Sequence, residues 1–322
     1  MADMSHKGNS LRGSLFLFLA SLLWGVAFVA QSVGMDYVEP FTFNAVRTLL
    51  GSVVLVPCYF LIRRASPEVS SEETMIHSAF PQRFSETSIA SALPGGIICG
   101  IFLCIASNLQ QYGIKYTTVG KAGFITAMYI VIVPISGVIL GKKAGIRLWI
   151  SVALAAIGLY LLSMTEEFSL GRGDMYVLFS ALAFAFQIMA VDYYSGRIQP
   201  ILLACVEFLT CGLLSLIPMF LTEQPSWEGI WAARIPILYA GLLSCAVAYT
   251  LQILGQRDLN PAVASLIMSL ESVISALAGW MILHQALSGR ELFGCVLMFA
   301  AILLAQLPSK GAPINRSQEE RK

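Results

Sequence analysis

Apolar runs follow one another along almost the whole chain, separated by short polar joins. A helix needs about 20 apolar residues to cross the ~30 Å hydrocarbon core of a bilayer, and these runs reach or approach that length. The pattern therefore predicts an all-α polytopic membrane protein. We expect ten transmembrane helices, at residues 12–32, 41–62, 92–113, 117–140, 146–164, 173–193, 199–221, 232–254, 261–283 and 290–307.

The joins between these runs contain residues that end helices, such as Gly34, Gly141 and Pro261. Most joins are short, but residues 63–91 form a longer stretch that is polar and mixed in charge. The tail, 308–322, has a polar composition typical of disorder. We expect both segments to lie outside the bilayer.

The second half of the chain repeats the first in order. Arg47 aligns with Glu207 at one constant offset, and Gln110 aligns with Gln252 at a second, shorter offset. The offset changes once, across 63–91, which indicates an insertion in that loop. An ordered match with a single loop-sized change favours a true internal repeat.

Each repeat holds five predicted spans, in residues 12–164 and 173–307, flanked by a segment 1–11 and the tail. Because five is odd, the second repeat must lie inverted in the membrane. Inverted repeats with a binding site at their interface are typical of secondary transporters. Lys7 and Arg12 precede the first run as in a signal peptide, but that run has a counterpart in the second half. We therefore expect it to remain in the mature protein.

The number and distribution of charged residues indicate the class of protein and its orientation in the membrane. Only 12% of the residues are charged, against about 25% in soluble domains, and a net charge of +1 gives no basis for binding nucleic acid. With the N-terminus inside, the inner segments hold fourteen lysines and arginines and the outer joins hold four. The positive-inside rule then places both termini in the cytoplasm. We expect a plasma (inner) membrane protein whose oligomeric state stays open, with a monomer as the simplest case.

Among the charged residues within or at the edge of predicted spans, four are candidates for the site: Arg47, Lys121, Glu207 and Glu271. Such residues are costly in hydrocarbon and usually face a cavity or a partner. A structural ion pair between Arg47 and Glu271 is one explanation, and Lys121 could instead extend to the interface or share an anion with Arg47. Glu271, close to the midplane, is the first candidate for a group that exchanges protons or contacts the solute, and Glu207 is the second.

Uncharged polar and aromatic residues complete the candidate site. Each polar side chain needs partners in hydrocarbon, and singly each is explained by a hydrogen bond between helices, worth about 0.6 kcal/mol. Aromatic residues away from the interfaces could stack on a solute or only pack. As a set they predict a cavity for a polar small molecule, lined by Trp24, Gln31, Asn44, Asn108, Gln110, Gln111, Gln187, Tyr249, Gln252 and Tyr129, the repeat counterpart of Glu271.

No pattern of catalysis or cofactor binding stands out. The seven cysteines lie in apolar runs, and Cys99 and Cys104 lack histidine or carboxylate neighbours, so we expect free thiols and no metal site. The phosphate-binding G-x-x-x-x-G-K-[ST] motif and the hydrolase motifs H-E-x-x-H and G-x-S-x-G do not occur. We therefore expect no cofactor, no enzyme activity and no ATP-driven pumping by this chain alone.

Four stretches resemble the EamA-like branch of the drug/metabolite transporter superfamily. They are SLLWGVAFVAQSVG (Ser21–Gly34), PFTFNAVRTLLG (Pro40–Gly51), YTTVGKAGFITAMYIVIVPISGVILGKK (Tyr116–Lys143) and NPAVASLIMSLESVISALAGWMILHQ (Asn260–Gln285). The resemblance implies a central cavity lined by spans one, three, four, six, eight and nine, working by alternating access. It implies no single substrate, since members of this superfamily move amino acids, other metabolites, drugs or nucleotide-sugar-like solutes.

The chain departs from that family pattern at two points. Ser272 follows Glu271 where members often have proline, and the Gly-Glu pair that commonly ends spans four and nine is replaced by Gly141–Lys142 and His284–Gln285. The role of those terminal acids cannot be transferred here. Our leading hypothesis is a secondary-active exporter of a small polar metabolite. The alternatives are a passive facilitator or channel, and an importer of the same solutes.

Overall fold

The computed structural model describes residues 2–64, 89–142, 144–163, 171–257, 259–283 and 288–306. Within these ranges the regular structure is helical and contains no strand, which confirms the all-α prediction. Most of the predicted loop 63–91, the whole predicted tail and the His284–Gln285 pair lie outside the described residues.

The helices are numbered in chain order, with one π-helical segment named π1. They are α1 (Ala2–Gly34), α2 (Pro40–Arg64), α3 (Ile89–Ile114), α4 (Val119–Thr126), α5 (Tyr129–Ile139), α6 (Ile146–Ser163), α7 (Arg172–Ser195), α8 (Pro200–Thr222), α9 (Trp227–Ala232), α10 (Arg234–Leu238), π1 (Tyr239–Ala248), α11 (Tyr249–Arg257), α12 (Pro261–Met268), α13 (Leu270–Leu283) and α14 (Gly289–Gln306).

Eight helical stretches of the described chain are long and apolar enough to cross a bilayer, some of them built from two or three consecutive elements. Two shorter apolar helices, Ile146–Leu161 and Leu292–Ala305, occupy the places of the fifth and tenth predicted spans. Large apolar side chains such as Ile139 and Leu221 are 79% and 78% exposed, as expected for surfaces that face lipid rather than water. The protein is a multi-pass membrane protein.

The fourth and ninth predicted spans are each interrupted. In the fourth, α4 ends at Thr126, with Ala127 as its C-cap, and α5 begins at Tyr129; the Met128 N–H donates to the Ile125 carbonyl at 3.1 Å. In the ninth, Ser269 separates α12 from α13 and accepts from the Ser272 N–H at 3.1 Å. These three-residue bonds tighten the helix into a 3₁₀ turn, which within a helix often marks a hinge.

The two interrupted spans begin in the same way as well. The Thr118 hydroxyl accepts from the Lys121 N–H at 3.4 Å, and the Asn260 side chain accepts from the Ala262 N–H at 2.9 Å. Both residues therefore act as N-caps, which satisfy donors that the first helical turn leaves free. The same cap, the same helix length and the same break recur in the two halves.

The helices pack into one bundle around shared cores. α2 packs on α8, α3 on α7 and α8, α6 on α14, and α1 on α13, α11 and π1. Glycines permit close approaches between helices: a Cβ at Gly25 would lie 2.5 Å from the Ile274 Cβ, and one at Gly100 would lie 2.6 Å from the Glu207 carbonyl oxygen. Small residues at helix contacts let backbones approach closely, as is usual in membrane bundles.

Candidate functional site

A cavity lies between the two halves of the bundle, with about 590 Å³ of empty space that includes the part open to solvent. Its wall includes side chains from α1 to α5, α7, α8, π1 and α11 to α13. Spans two and seven therefore contribute to it, in addition to the six that the family resemblance implies. Nine of the predicted cavity residues are in the wall: Trp24, Gln31, Arg47, Gln110, Tyr129, Gln187, Tyr249, Gln252 and Glu271.

Four predicted cavity residues lie elsewhere. Asn44 and Asn108 are buried between α2, α3 and α8, behind the wall. The Gln111 amide donates to the Gln31 carbonyl at 3.3 Å and so links α3 to α1. The Lys121 Nζ lies 3.7 Å from an Asp174 carboxylate oxygen at the end of the bundle. None of the four is among the residues that line the cavity.

Arg47 places a positive charge on the cavity wall. Its side chain is 5% exposed, and its Nε donates to the Asn44 Oδ1 at 3.0 Å. The guanidinium also lies 5.7 Å from the Phe43 ring centre. In the described part of the chain no carboxylate forms an ion pair with it, so the predicted pair with Glu271 is not formed. Arg47 is thus held in place by a neutral amide and can bind an anionic group.

A polar network behind the wall fixes Asn44 itself. The Asn44 Nδ2 donates to Ser107 at 3.0 Å, to the Asn108 Oδ1 at 2.9 Å and to Ser215 at 3.2 Å. Because its amide nitrogen faces α3 and α8, its oxygen points back to Arg47. The orientation of the Arg47 guanidinium therefore depends on residues of three helices.

Glu271 and Tyr129 meet at the cavity wall next to the two helix breaks. The Tyr129 hydroxyl donates to the Glu271 Oε1 at 2.8 Å, and the two residues are 3% and 5% exposed. They are counterparts in the repeat and follow the equivalent interruptions at Ala127 and Ser269. This hydrogen bond directly joins the two interrupted spans.

Aromatic rings form a second part of the wall. The Tyr249 ring lies between Trp24 and Phe208, with centroid distances of 4.8 and 4.9 Å and interplanar angles of 69° and 90°. The Trp24 Nε1 is buried and has no hydrogen-bond partner, which makes it a free donor at the wall. Trp280, also expected inside a span, is 50% exposed and lies outside the cavity.

Glu207 lies behind the wall rather than in it. It is fully buried, and its Oε1 accepts from the Gln187 amide at 2.7 Å. The Gln187 Oε1 in turn accepts from the Gln252 amide at 3.3 Å. Glu207 therefore contacts the wall residue Gln187, which is hydrogen-bonded in turn to the wall residue Gln252.

Ion pairs tie the ends of the helices together outside the cavity. Lys115 donates to Glu39, and this hydrogen bond raises the pKa of Lys115 above its ordinary 10.5. At the other end of the same bundle, the Lys142 Nζ lies 2.8 Å from the Asp192 Oδ2. Lys115 therefore stays cationic at physiological pH.

The described residues offer no metal site and no disulfide. They contain no group of three or more histidine, cysteine, aspartate or glutamate residues that could hold a metal ion. The seven cysteines are free thiols.

The remaining wall residues were not predicted. Most are apolar or small and look like ordinary core residues in the sequence: Phe28, Thr48, Leu103, Ser107, Thr126, Phe184, Ile188, Phe208, Ser244, Cys245 and Met268. Thr126 immediately precedes the break and accepts from the Gln110 amide at 3.0 Å, but a threonine in an apolar run does not indicate this in the sequence.

Several known proteins that this chain resembles are named as transporters. A model of the EamA-like transporter family matches residues 11–164 and 171–307. An uncharacterized transporter of Archaeoglobus fulgidus is 27% identical over 92% of this chain and 86% of its own length. The uncharacterized transporter YoaV of Bacillus subtilis is 22% identical over 90% and 95%, and the uncharacterized inner membrane transporter YedA of Escherichia coli K12 is 22% identical over 89% of each chain. A solved crystal structure superposes with a TM-score of 0.70 at 17% identity, over 91% of this chain and 96% of the other.

Proposed function

We propose, from the premise that this chain belongs to the EamA-like transporter family, that it is a secondary-active carrier which exports a small polar metabolite by alternating access. In this proposal ten spans form two inverted five-helix repeats, and the solute binds in the cavity between them. The carrier lies in the plasma membrane with both termini in the cytoplasm, as the distribution of lysine and arginine favours.

The observation that carries the proposal is the hydrogen bond between Tyr129 and Glu271. It joins two residues that are equivalent in the repeat, at equivalent helix breaks, at the wall of the cavity. Interrupted helices at the interface of inverted repeats are a recurrent way to build a transport site. Two hinges that meet at the site allow its two ends to open in turn.

The packing of the helices supports an inverted repeat. α3 packs on α7, and its counterparts π1 and α11 pack on α1. α3 also packs on α8, and π1 packs on α2 in the same relation. The remaining large contacts, α2 on α8 and α6 on α14, join helices that are each other's counterparts. Each of these contacts thus has an equivalent contact between the counterpart helices, as a two-fold axis between the halves requires.

The wall favours a solute that is polar, carries an anionic group and has a flat or apolar part. Arg47 has no carboxylate partner among the described residues and supplies the anion contact, while the Trp24 and Tyr249 rings supply a surface for the rest of the solute. The Gln110 and Gln187 side chains supply neutral hydrogen bonds. Buried groups of this kind discriminate strongly against solutes that leave them unpaired.

Glu271 is the first candidate for coupling transport to protons. A buried carboxylate without a cationic partner is costly, and Glu271 has only the Tyr129 hydroxyl in the described part of the chain. A change in its charge alters the bond that joins the two hinges. In this proposal the solute is exported in exchange for protons, and the position of Glu271 beside the two hinges supports that coupling.

The proposal is tested by a metabolite screen. A deletion strain is compared with strains that overexpress the wild type or Glu271→Gln, and metabolites are measured in cells and medium. We expect at least one polar metabolite to accumulate in the medium with the wild type only. If purified protein in liposomes moved none of the candidates under any proton gradient, and Glu271→Gln matched the wild type in cells, the proposal would fail.

The same preparation distinguishes a carrier from a passive facilitator. In counterflow, solute on the far side of the membrane accelerates uptake by a carrier, because the loaded site returns faster than the empty one. A flux that rises linearly with concentration and ignores the far side indicates a channel. The sign of the net flux under an imposed proton gradient separates export from import.

A further inference from the structure

Three side chains form a hydrogen-bonded chain from the cavity into the protein interior. The Gln252 Nε2 donates to the Gln187 Oε1 at 3.3 Å, and the Gln187 Nε2 donates to the Glu207 Oε1 at 2.7 Å. Both glutamines line the cavity, whereas Glu207 does not and is fully buried. At the two ends of the chain, the Glu207 Oε2 and the Gln252 Oε1 are buried without a partner.

No cation balances Glu207 in the described part of the chain. The titratable groups that face it from the helices packed against α8 are Cys99 on α3 and Tyr249 on α11. Arg47, the charged residue in the buried part of α2, forms no ion pair with it. On its own helix the nearest titratable groups in sequence are Cys205 and Cys211. A negative charge at Glu207 is therefore held by the Gln187 amide alone.

The direction in which the hydrogen bonds between Gln252, Gln187 and Glu207 run depends on whether Glu207 carries a proton. An ionised carboxylate only accepts hydrogen bonds, whereas a protonated one also donates, and an amide can do either with its two ends. With Glu207 ionised, both amides point their N–H groups toward it, as observed, and the Gln252 oxygen remains free. With Glu207 protonated, its O–H can donate to the Gln187 Oε1 once that amide has turned over. The Gln187 N–H can then donate to the Gln252 Oε1, which turns the free N–H of Gln252 to the cavity.

We propose that Glu207 is a second proton-binding group, and that Gln187 is a positioning residue which passes its protonation state to the cavity by reversing the chain of hydrogen bonds. Gln252 then offers the solute a hydrogen-bond acceptor when Glu207 is ionised and a donor when Glu207 is protonated. The proton comes from water in the cavity and returns to it.

A consequence for the solute follows, and it rests on the proposed transport function. A solute with a donor group, such as an ammonium or a hydroxyl, is bound by the ionised form and released when Glu207 takes up a proton. The solute and the proton therefore compete, which is the relation that an exporter driven by an inward proton gradient needs. The reversal itself requires no solute, so it can be tested separately.

The test is infrared difference spectroscopy of the purified full-length protein in lipid, with the proton as the only ligand. On lowering the pH, the wild type should gain the C=O band of a protonated carboxyl group and, in the same titration, a shift in a glutamine amide band. Glu207→Gln should remove one component of the carboxyl band, and Glu271→Gln should leave that component in place. Gln187→Leu should keep the carboxyl band and lose the amide shift, because the carboxyl group still titrates but is no longer connected.

Gln256 supplies a matched control. It lies one turn beyond Gln252 on α11, is 1% exposed, and donates to the Ile188 carbonyl at 3.2 Å, outside the chain to Glu207. Gln256→Leu should retain both signals. Circular dichroism checks that each variant is folded, and Gln187→Asn, whose shorter amide cannot span both partners, replaces the leucine variant if that one is not.

Three results would overturn the proposal: a carboxyl band that Glu207→Gln leaves intact, an amide shift that survives in Gln187→Leu, or no titration of Glu207 over the range in which the protein stays folded. None of these results depends on transport. A failed metabolite screen with intact infrared signals would instead reject the transport proposal and leave the switch standing.

Discussion

At the scale of the residue, the site depends on which polar groups are paired and which are free. Arg47 is bound by Asn44 and has no carboxylate partner in the described chain, whereas Lys121, the other basic residue predicted to contact a solute, is paired with Asp174. Two basic residues at the edges of apolar runs thus have different surroundings. Only Arg47 is placed to bind an anionic solute in the cavity.

We expect Arg47→Gln to weaken binding of an anionic solute by about ten- to a hundredfold. A hydrogen bond to a charged group contributes about 1.5–3 kcal/mol, and about 1.4 kcal/mol corresponds to tenfold in affinity. The measurement is the KM for uptake into liposomes. Lys121→Gln, which also removes one positive charge but lies outside the cavity, should change KM less than threefold. Equal effects of the two substitutions would contradict a specific role for Arg47.

Tyr129→Phe tests the bond between the two hinges. The substitution keeps the ring and removes only the hydroxyl that donates to Glu271 at 2.8 Å. We expect a loss of about 1–3 kcal/mol in stability, the cost of leaving a buried acceptor unpaired, measured by thermal unfolding in detergent. Tyr37→Phe, at a ring that is 51% exposed, should have no measurable effect. An unchanged unfolding temperature for Tyr129→Phe would show that the bond does not hold the spans together.

The sequence predicted cavity residues correctly where a polar or charged residue stood out in an apolar run. It did not predict the wall residues that are apolar or small. Glutamine, arginine and glutamate are rare inside apolar runs and are therefore easy to identify in the sequence. Together with the predicted aromatic residues, nine of these candidates line the cavity. Asn44 has the same appearance but supports Arg47 from behind, because its partners Ser107 and Ser215 come from distant parts of the chain. Which face a residue presents is decided by packing, which a single sequence does not contain.

At the scale of the element, hydropathy located the spans closely but could not see their interruptions. Apart from α1, which begins at Ala2 rather than at residue 12, the helices begin and end within a few residues of the predicted bounds. The breaks at Ala127 and Ser269 and the π-helical segment π1 leave hydropathy unchanged, because they alter hydrogen-bond geometry rather than composition. Both kinds of irregularity are frequent at functional sites, and all three border the cavity.

Gly25 tests the contact between α1 and α13. A Cβ there would lie 2.5 Å from Ile274 side-chain atoms and 2.9 Å from the Glu271 carbonyl oxygen. We expect Gly25→Ala to destabilise the protein by about 1–3 kcal/mol through overpacking. Gly120→Ala, with nothing within 4 Å of the new methyl group, should be neutral or stabilising by up to about 1 kcal/mol. The contrast is measured as the difference in unfolding temperature, and its absence would mean that α1 and α13 are not closely packed in the membrane.

At the scale of the whole molecule, two similar halves surround one cavity. The repeated caps, the repeated breaks and the exchange of helix contacts between the halves all favour an inverted arrangement. The proposed inversion places Arg47 and Glu207, which align in the repeat, at different depths in the membrane. One lies in the cavity wall and the other behind it.

The predicted orientation can be checked with fusions to a reporter enzyme that is active only outside the cytoplasm. We expect the reporter to be inactive when attached at the C-terminus or within the loop 63–91, and active when inserted in the join 223–226. The physical reason is the excess of lysine and arginine on the inner side. An active C-terminal fusion would contradict both the ten-span count and the placement of the termini.

Alternating access requires that the cavity between the halves opens to each side of the membrane in turn. Cys245 lies in the cavity wall, so it can report access in a variant whose other six cysteines are replaced by alanine. A thiol reagent that cannot cross membranes is added to oriented vesicles, from one side or from the other. We predict that Cys245 reacts from each side, and that conditions which speed reaction from one side slow it from the other. Reaction from a single side under every solute and pH condition would show that the cavity is a closed-ended pocket and would contradict alternating access.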